Sequence, residues 1–155
     1  MSPKAVRIPD SMKKYVDQPT KYYVKHGVSE HEYEMQKYVR SLNIVRVPGV
    51  AAYCKETHIM AMPLVGVMSV SDMYGASAED VPDEVFESIV DTVQLLVAHG
   101  IEFPDLTGYN FVEDLTKPGE VWIIDFEHAT LNDDITNPAI IALVAGERQW
   151  NPDFA

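Results

Sequence analysis

Residues 99–114, HGIEFPDLTGYNFVED, and residues 121–129, VWIIDFEHA, are the stretches on which the reading of this chain turns. Gly100 stops a helical pattern. The turn-rich segment after it sets Asp105 and Asn110 five positions apart. Phe111-Val112, the turn Lys117-Pro-Gly-Glu120 and the apolar run Val121 to Ile124 then form a hairpin that ends on an acid, Asp125. Each polar residue also has an ordinary structural use: Asp105 and Asn110 as turn residues around Thr107-Gly108, Asp125 as the cap of the next turn.

Outward from this stretch, Val85, Ile89, Val93, Leu96 and Val97 keep a helical period, predicting a helix over 82–99. Upstream, 69–74 reads as a short helix, and 76–82 as a loop and candidate boundary. The apolar runs at 44–53 and 58–64 predict two or three strands. Ser29 with Glu32 forms a capping box, and Met35, Tyr38, Val39 and Leu42 follow at helical spacing, predicting a helix over 29–42. Lys21 to Lys25 alternates as a strand closed by Gly27. The first 20 residues, with proline at 3, 9 and 19, read as an irregular lead-in. Downstream, a helix capped by Asn137 is expected over 138–148. The chain is α+β in class.

The length of 155 residues and 46% hydrophobic content predict one domain with a real core. No apolar run approaches the roughly 20 residues of a membrane span, and the polar amino terminus does not resemble a secretory signal. Cys54 is the single cysteine, which excludes an internal disulfide and fits a reducing compartment, so a cytoplasmic location is expected. A net charge of −12 opposes nucleic acid and anionic membrane as partners. Most Lys and Arg precede residue 56, leaving 79–134 dominated by carboxylates. The histidines share no metal-ligand spacing, and no serine sits in a nucleophile elbow.

Phosphoryl transfer asks a protein for positioning and for charge at the phosphates more than for covalent chemistry. Two carboxylates and an amide on adjacent loops suit it: Asp125 and Asn110 as ligands for Mg²⁺, Asp105 to accept or orient a hydroxyl. The segments 99–114 and 121–129 resemble the catalytic loop and the metal-binding strand end of the protein-kinase-like superfamily, which includes compact atypical kinases and the aminoglycoside and choline phosphotransferases. Asp105 to Asn110 has the D-x-x-x-x-N spacing, and Asp125-Phe126-Glu127 stands where that superfamily has D-F-G.

The resemblance implies a minimal two-lobed kinase-like fold, with a small β-rich lobe to about residue 66 and a truncated helical lobe over about 67–155. It implies ATP and Mg²⁺ as cofactors, Lys25 as a phosphate contact paired with Glu34, and Met62 and Leu64 in the segment that receives adenine. Glu34 is preferred over Glu32 because its i+4 neighbour Tyr38 lies on the expected apolar face, whereas that of Glu32 is Gln36. No glycine precedes Gly27, so the family's glycine-rich phosphate-covering loop is expected to be absent or replaced by something rudimentary. Phe103-Pro104 replaces the His-Arg that precedes the catalytic Asp, so control by a phosphorylated activation loop is not expected. Only 30 residues follow Asp125, fewer than a full substrate-binding subdomain needs. The readings that stay open are a kinase acting on a small molecule or on protein Ser/Thr, a homo-oligomer or partner completing the second lobe, an inactive pseudokinase scaffold, and an acidic interaction module without a nucleotide site.

Overall fold

The computed structural model describes residues 8–155. Of the expected irregular lead-in, residues 1–7 lie outside the described residues, and the remainder is partly helical. A 3-10 turn, Asp10–Met12, runs into α1, Lys13–Val16. Met12 and Tyr15 are buried there, with Tyr15 edge-on to Tyr22 at 4.9 Å, because this is where their apolar area leaves water.

β1 (Tyr22–Lys25), α2 (Glu30–Leu42), β2 (Ala52–Cys54) and β3 (Ile59–Pro63) come next, and the strands form an antiparallel sheet in the order β1-β3-β2. Ser29 caps α2 by accepting the Glu32 N–H at 3.1 Å. Residues 44–51 form no strand. Their carbonyls are engaged elsewhere: Pro48 accepts from the Gln36 side chain at 2.9 Å, and Arg46 accepts the Ile123 N–H at 2.9 Å. Pro48-Gly49 interrupts what extension remains.

The second half comprises α3 (Val70–Tyr74), a 3-10 turn at Ala78–Asp80 within the expected loop, α4 (Asp83–Ala98), β4 (Ile101–Glu102), β5 (Phe111–Glu113), β6 (Val121–Ile123), β7 (Thr130–Leu131) and α5 (Pro138–Val144). α4 buries Val85, Ile89, Val93 and Leu96 against Phe103, Phe111, Ile123 and Phe126, which form the main core. β5 and β6 make the expected hairpin. The β4–β7 pair has two residues on each side, too few to show alternation in sequence. α5 stops at Val144 because Gly146, at φ +90°, turns the chain, and Arg148 then donates to the Val81 carbonyl at 2.6 Å and to the Asp83 carboxylate.

Asp114 fastens the β5–β6 turn. Burial pushes its carboxyl up, but the Thr116 N–H and hydroxyl at 2.7 and 2.8 Å, Trp122 Nε1 at 2.7 Å and the Lys117 N–H at 3.0 Å outweigh burial and bring it down to about 2. A folded value below the unfolded one means stability that is present above about pH 4 and lost as pH falls through about 2. Asp114→Ala is expected to cost about 1–3 kcal/mol at neutral pH and to flatten the dependence below pH 4, as read by urea denaturation across pH.

Candidate active site

In β1, successive side chains point to opposite faces. Tyr22 and Val24 join the cluster around Met12 and Tyr15, so Tyr23 and Lys25 face the other way, into a cleft between the sheet and the hairpin. Lys25 pairs across the sheet with Met60, and Tyr23 with Met62.

The ion-pair partner of Lys25 is Glu32, not Glu34. Lys25 Nζ lies 2.5 Å from Glu32 Oε2 and 3.3 Å from Asp125 Oδ1. The inward stripe of α2 is Glu32, Met35, Gln36 and Val39, a 3–4 spacing, and Glu34 is exposed on the opposite side. Neighbour polarity misleads here: Gln36 is 1% exposed because its amide finds the Pro48 carbonyl, whereas Tyr38 is 40% exposed. Burial alone would pull the Lys25 ammonium down, but the Glu32 hydrogen bond and the charges of Asp125 and Glu32 outweigh it and hold it above the usual lysine value. Glu32, 2% exposed, is pushed above the usual carboxylate range by burial, against the pull of Lys25.

Asp125 comes after Ile124 at the end of the hairpin with φ +69°, the left-handed region that few side chains tolerate. Two anchors hold it there. The Ile124 N–H donates to the Asn110 carbonyl at 2.9 Å, and the fully buried Phe126 ring sits edge-on to Phe103 at 5.4 Å. Asn110, 6% exposed, donates its side-chain amide to the Asp105 carbonyl at 2.8 Å. Burial raises the Asp105 carboxyl and the Asp125 charge raises it further, against the opposing pull of His128 and Asn110. His31 Nε2, next to Glu32 on α2, is 2.7 Å from the Ala129 carbonyl; a carbonyl only accepts, so the imidazole carries the proton and ties α2 to the segment after Asp125.

The cleft consists of two adjoining cavities of about 280 Å³ each, which share Tyr23, Met62, Tyr109 and Ile124. Met62 and Leu64 line the outer one; Lys25, Glu32, Asn110 and Asp125 line the inner. The Leu64 N–H is donated to the Lys21 carbonyl at 3.0 Å, so Leu64 offers the outer cavity its side chain rather than that donor. Asp105 lines neither cavity and joins the site through Asn110. Carboxylate oxygens of Glu32, Asp125 and Glu127 lie within 4.8 Å of one another, an oxygen-rich set of the kind a hard divalent cation takes, part of whose charge Lys25 already offsets; Asn110 lines the same cavity as Glu32 and Asp125.

Tyr23, Tyr109 and Glu127 are site residues that the sequence does not single out, and Glu32 is one that the sequence offers and neighbour polarity sets aside. Tyr23 is legible as the i−2 neighbour of Lys25 on one strand face, and Glu32 from the 3–4 stripe it begins. Glu32→Gln is expected to lower stability by about 1–3 kcal/mol, because it weakens a buried charge-assisted bond, whereas Glu34→Gln should stay within about 0.5 kcal/mol. Chemical denaturation of both variants separates the two glutamates.

Residues 7–138 match the RIO domain family. No curated protein matches the chain. The sheet, the hairpin that ends on Asp125 and the match over most of the length agree: the chain belongs to the RIO domain family, an atypical protein-kinase-like family that generally uses ATP and Mg²⁺.

Proposed function

We propose that the protein is an ATP- and Mg²⁺-dependent phosphotransferase that moves the γ-phosphate of ATP to a hydroxyl of a small molecule or a protein Ser/Thr. The observation that carries this reading is Lys25, held between Glu32 and Asp125 at the floor of a cleft that Asn110 also lines. Lys25 offers a fixed positive charge to phosphate oxygens. Met62 and Leu64 offer apolar surface for a base in the outer cavity. Asp125 and Asn110, with Glu127 nearby, are the residues that would hold Mg²⁺, which supplies charge neutralisation at the phosphates when bound. Asp105 orients the acceptor hydroxyl and takes its proton as the new oxygen–phosphorus bond forms and the bond from the γ-phosphorus to the leaving diphosphate breaks. The net charge of −12 opposes nucleic acid as a partner and suits an uncharged or basic acceptor. No helix among the described residues is long and apolar enough to cross a membrane, which is compatible with a cytoplasmic site of action.

The pseudokinase alternative draws on residues 1–26, which contain no glycine. A thermal-shift titration with ATP, with and without Mg²⁺, tests nucleotide binding. Wild type should gain Tm in a Mg²⁺-dependent way and Asp125→Ala should lose most of that gain. No shift at millimolar ATP would remove the phosphotransferase reading, and a shift without turnover would assign the scaffold.

Turnover carries a second signature. A base must be ionised to work, so activity should fall with decreasing pH through an Asp105 value raised above the usual carboxylate range. Asp105→Asn should lower kcat at least about 100-fold and remove that acid limb, as measured by ATP consumption across pH.

A further inference from the structure

Three consecutive carbonyls in the loop that carries Asp105 are each held by an asparagine. The Asp105 carbonyl accepts from Asn110 Nδ2 at 2.8 Å. The carbonyls on either side belong to one distant residue: Pro104 accepts from Asn151 Nδ2 at 2.8 Å, and Leu106 accepts the Asn151 N–H at 2.9 Å. Asn151 is 2% exposed and its amide orientation is settled from both ends, because Oδ1 accepts the Asp153 N–H at 3.1 Å while Nδ2 donates to Pro104. The residue before it is equally fixed: Trp150 packs on Phe86 with ring centroids 6.3 Å apart and donates Nε1 to the Ala76 carbonyl at 3.1 Å. Gly108 of the loop lies against the same indole, since a Cβ there would stand 3.1 Å from Trp150 and 2.1 Å from the Ser71 hydroxyl.

We propose that Asn151 is a positioning residue for Asp105, a strap from the carboxyl-terminal segment that fixes the backbone on both sides of the proton acceptor; this rests on the phosphotransferase reading of the cleft. The peptide groups flanking Asp105 are the pivots about which its side chain would swing. Asn151 secures the first of these through the Pro104 carbonyl and the peptide group just beyond the second through the Leu106 carbonyl, while Asn110 holds the Asp105 carbonyl between them, so the direction of the carboxylate is set without Asn151 touching it. Asn151 is 41 residues from the loop edge at Asn110, so no local pattern links the two. Misplacement of a reacting group by about 1 Å is enough to cost about 100-fold in rate.

The discriminating variant is Asn151→Asp, which keeps the size and the acceptor for the Asp153 N–H but puts an oxygen where the donor to Pro104 was. Asn151→Ser, smaller and uncharged, serves as the second variant should the aspartate fail to fold. In the full chain, amide exchange of Leu106, Thr107 and Asn110, whose N–H groups bond within the loop, should speed up about tenfold or more while Ile89 and Val93 in α4 keep their protection. With ATP, kcat should fall about 10- to 100-fold and KM should stay within about twofold, because Lys25 and Met62 are untouched. Unchanged exchange in the loop overturns the proposal, as does an unchanged kcat in a variant whose loop has loosened. If wild type itself turns over no ATP, the phosphotransferase reading falls, and the exchange result alone decides whether the strap exists.

Discussion

A glutamate side chain that is almost wholly out of water must be paired, and the pairing of Glu32 with Lys25 is the constraint on which the rest of the site depends. Lys25 belongs to β1, Glu32 to α2 and Asp125 to the end of the hairpin, so one ammonium fixes three segments that are far apart in the chain. Removing the Lys25 ammonium leaves two carboxylates, one of them buried, without their shared cation in a partly dry setting, where the penalty exceeds what the pair contributed. The same ammonium that faces the cleft therefore helps to hold it closed around its floor, and ligand contact and fold stability are coupled through a single residue.

The polar residues of the site owe their placement to apolar neighbours. Asp105 lies between Phe103 and Leu106, and Asp125 between Ile123 and Phe126, all four of them buried. The Phe103–Phe126 contact joins the two sets directly. A carboxylate carried on backbone pinned in this way has little freedom in direction even when it is itself half in water, which is what a preorganised site requires. α4 provides the floor for this arrangement, with its buried stripe packed under both loops.

Much of the fold is legible in the sequence because its signals are local. Ser29 and Glu32 announce the start of α2, Gly100 stands just past the end of α4 with φ +69°, and the turn at Lys117 to Glu120 declares the β5–β6 hairpin. The segment 44–51 reads as strand because its valines satisfy a β pattern, while the partners that occupy its carbonyls, Gln36 and Ile123, come from elsewhere in the chain. Glu34 looks the better partner for Lys25 for a related reason: residue polarity predicts exposure only where no buried hydrogen bond is on offer, and Gln36 has one. The approach of Lys25 to Asp125 spans 100 positions and leaves no local trace. Only the spacing of Asp105, Asn110 and Asp125 marks that region in the sequence.

The left-handed backbone at Asp125 has a consequence for how this sequence can drift. Glycine adopts φ +69° at no steric cost; aspartate, like asparagine, is carried there against a penalty of roughly 1 kcal/mol. Stability and carboxylate chemistry thus pull the same position in opposite directions. As long as the acid is under selection, the strain is tolerated. Once it is not, glycine at residue 125 relieves the backbone while Lys25 keeps Glu32 as its counter-charge, and descendants that have abandoned the chemistry should carry their record as a glycine at this site.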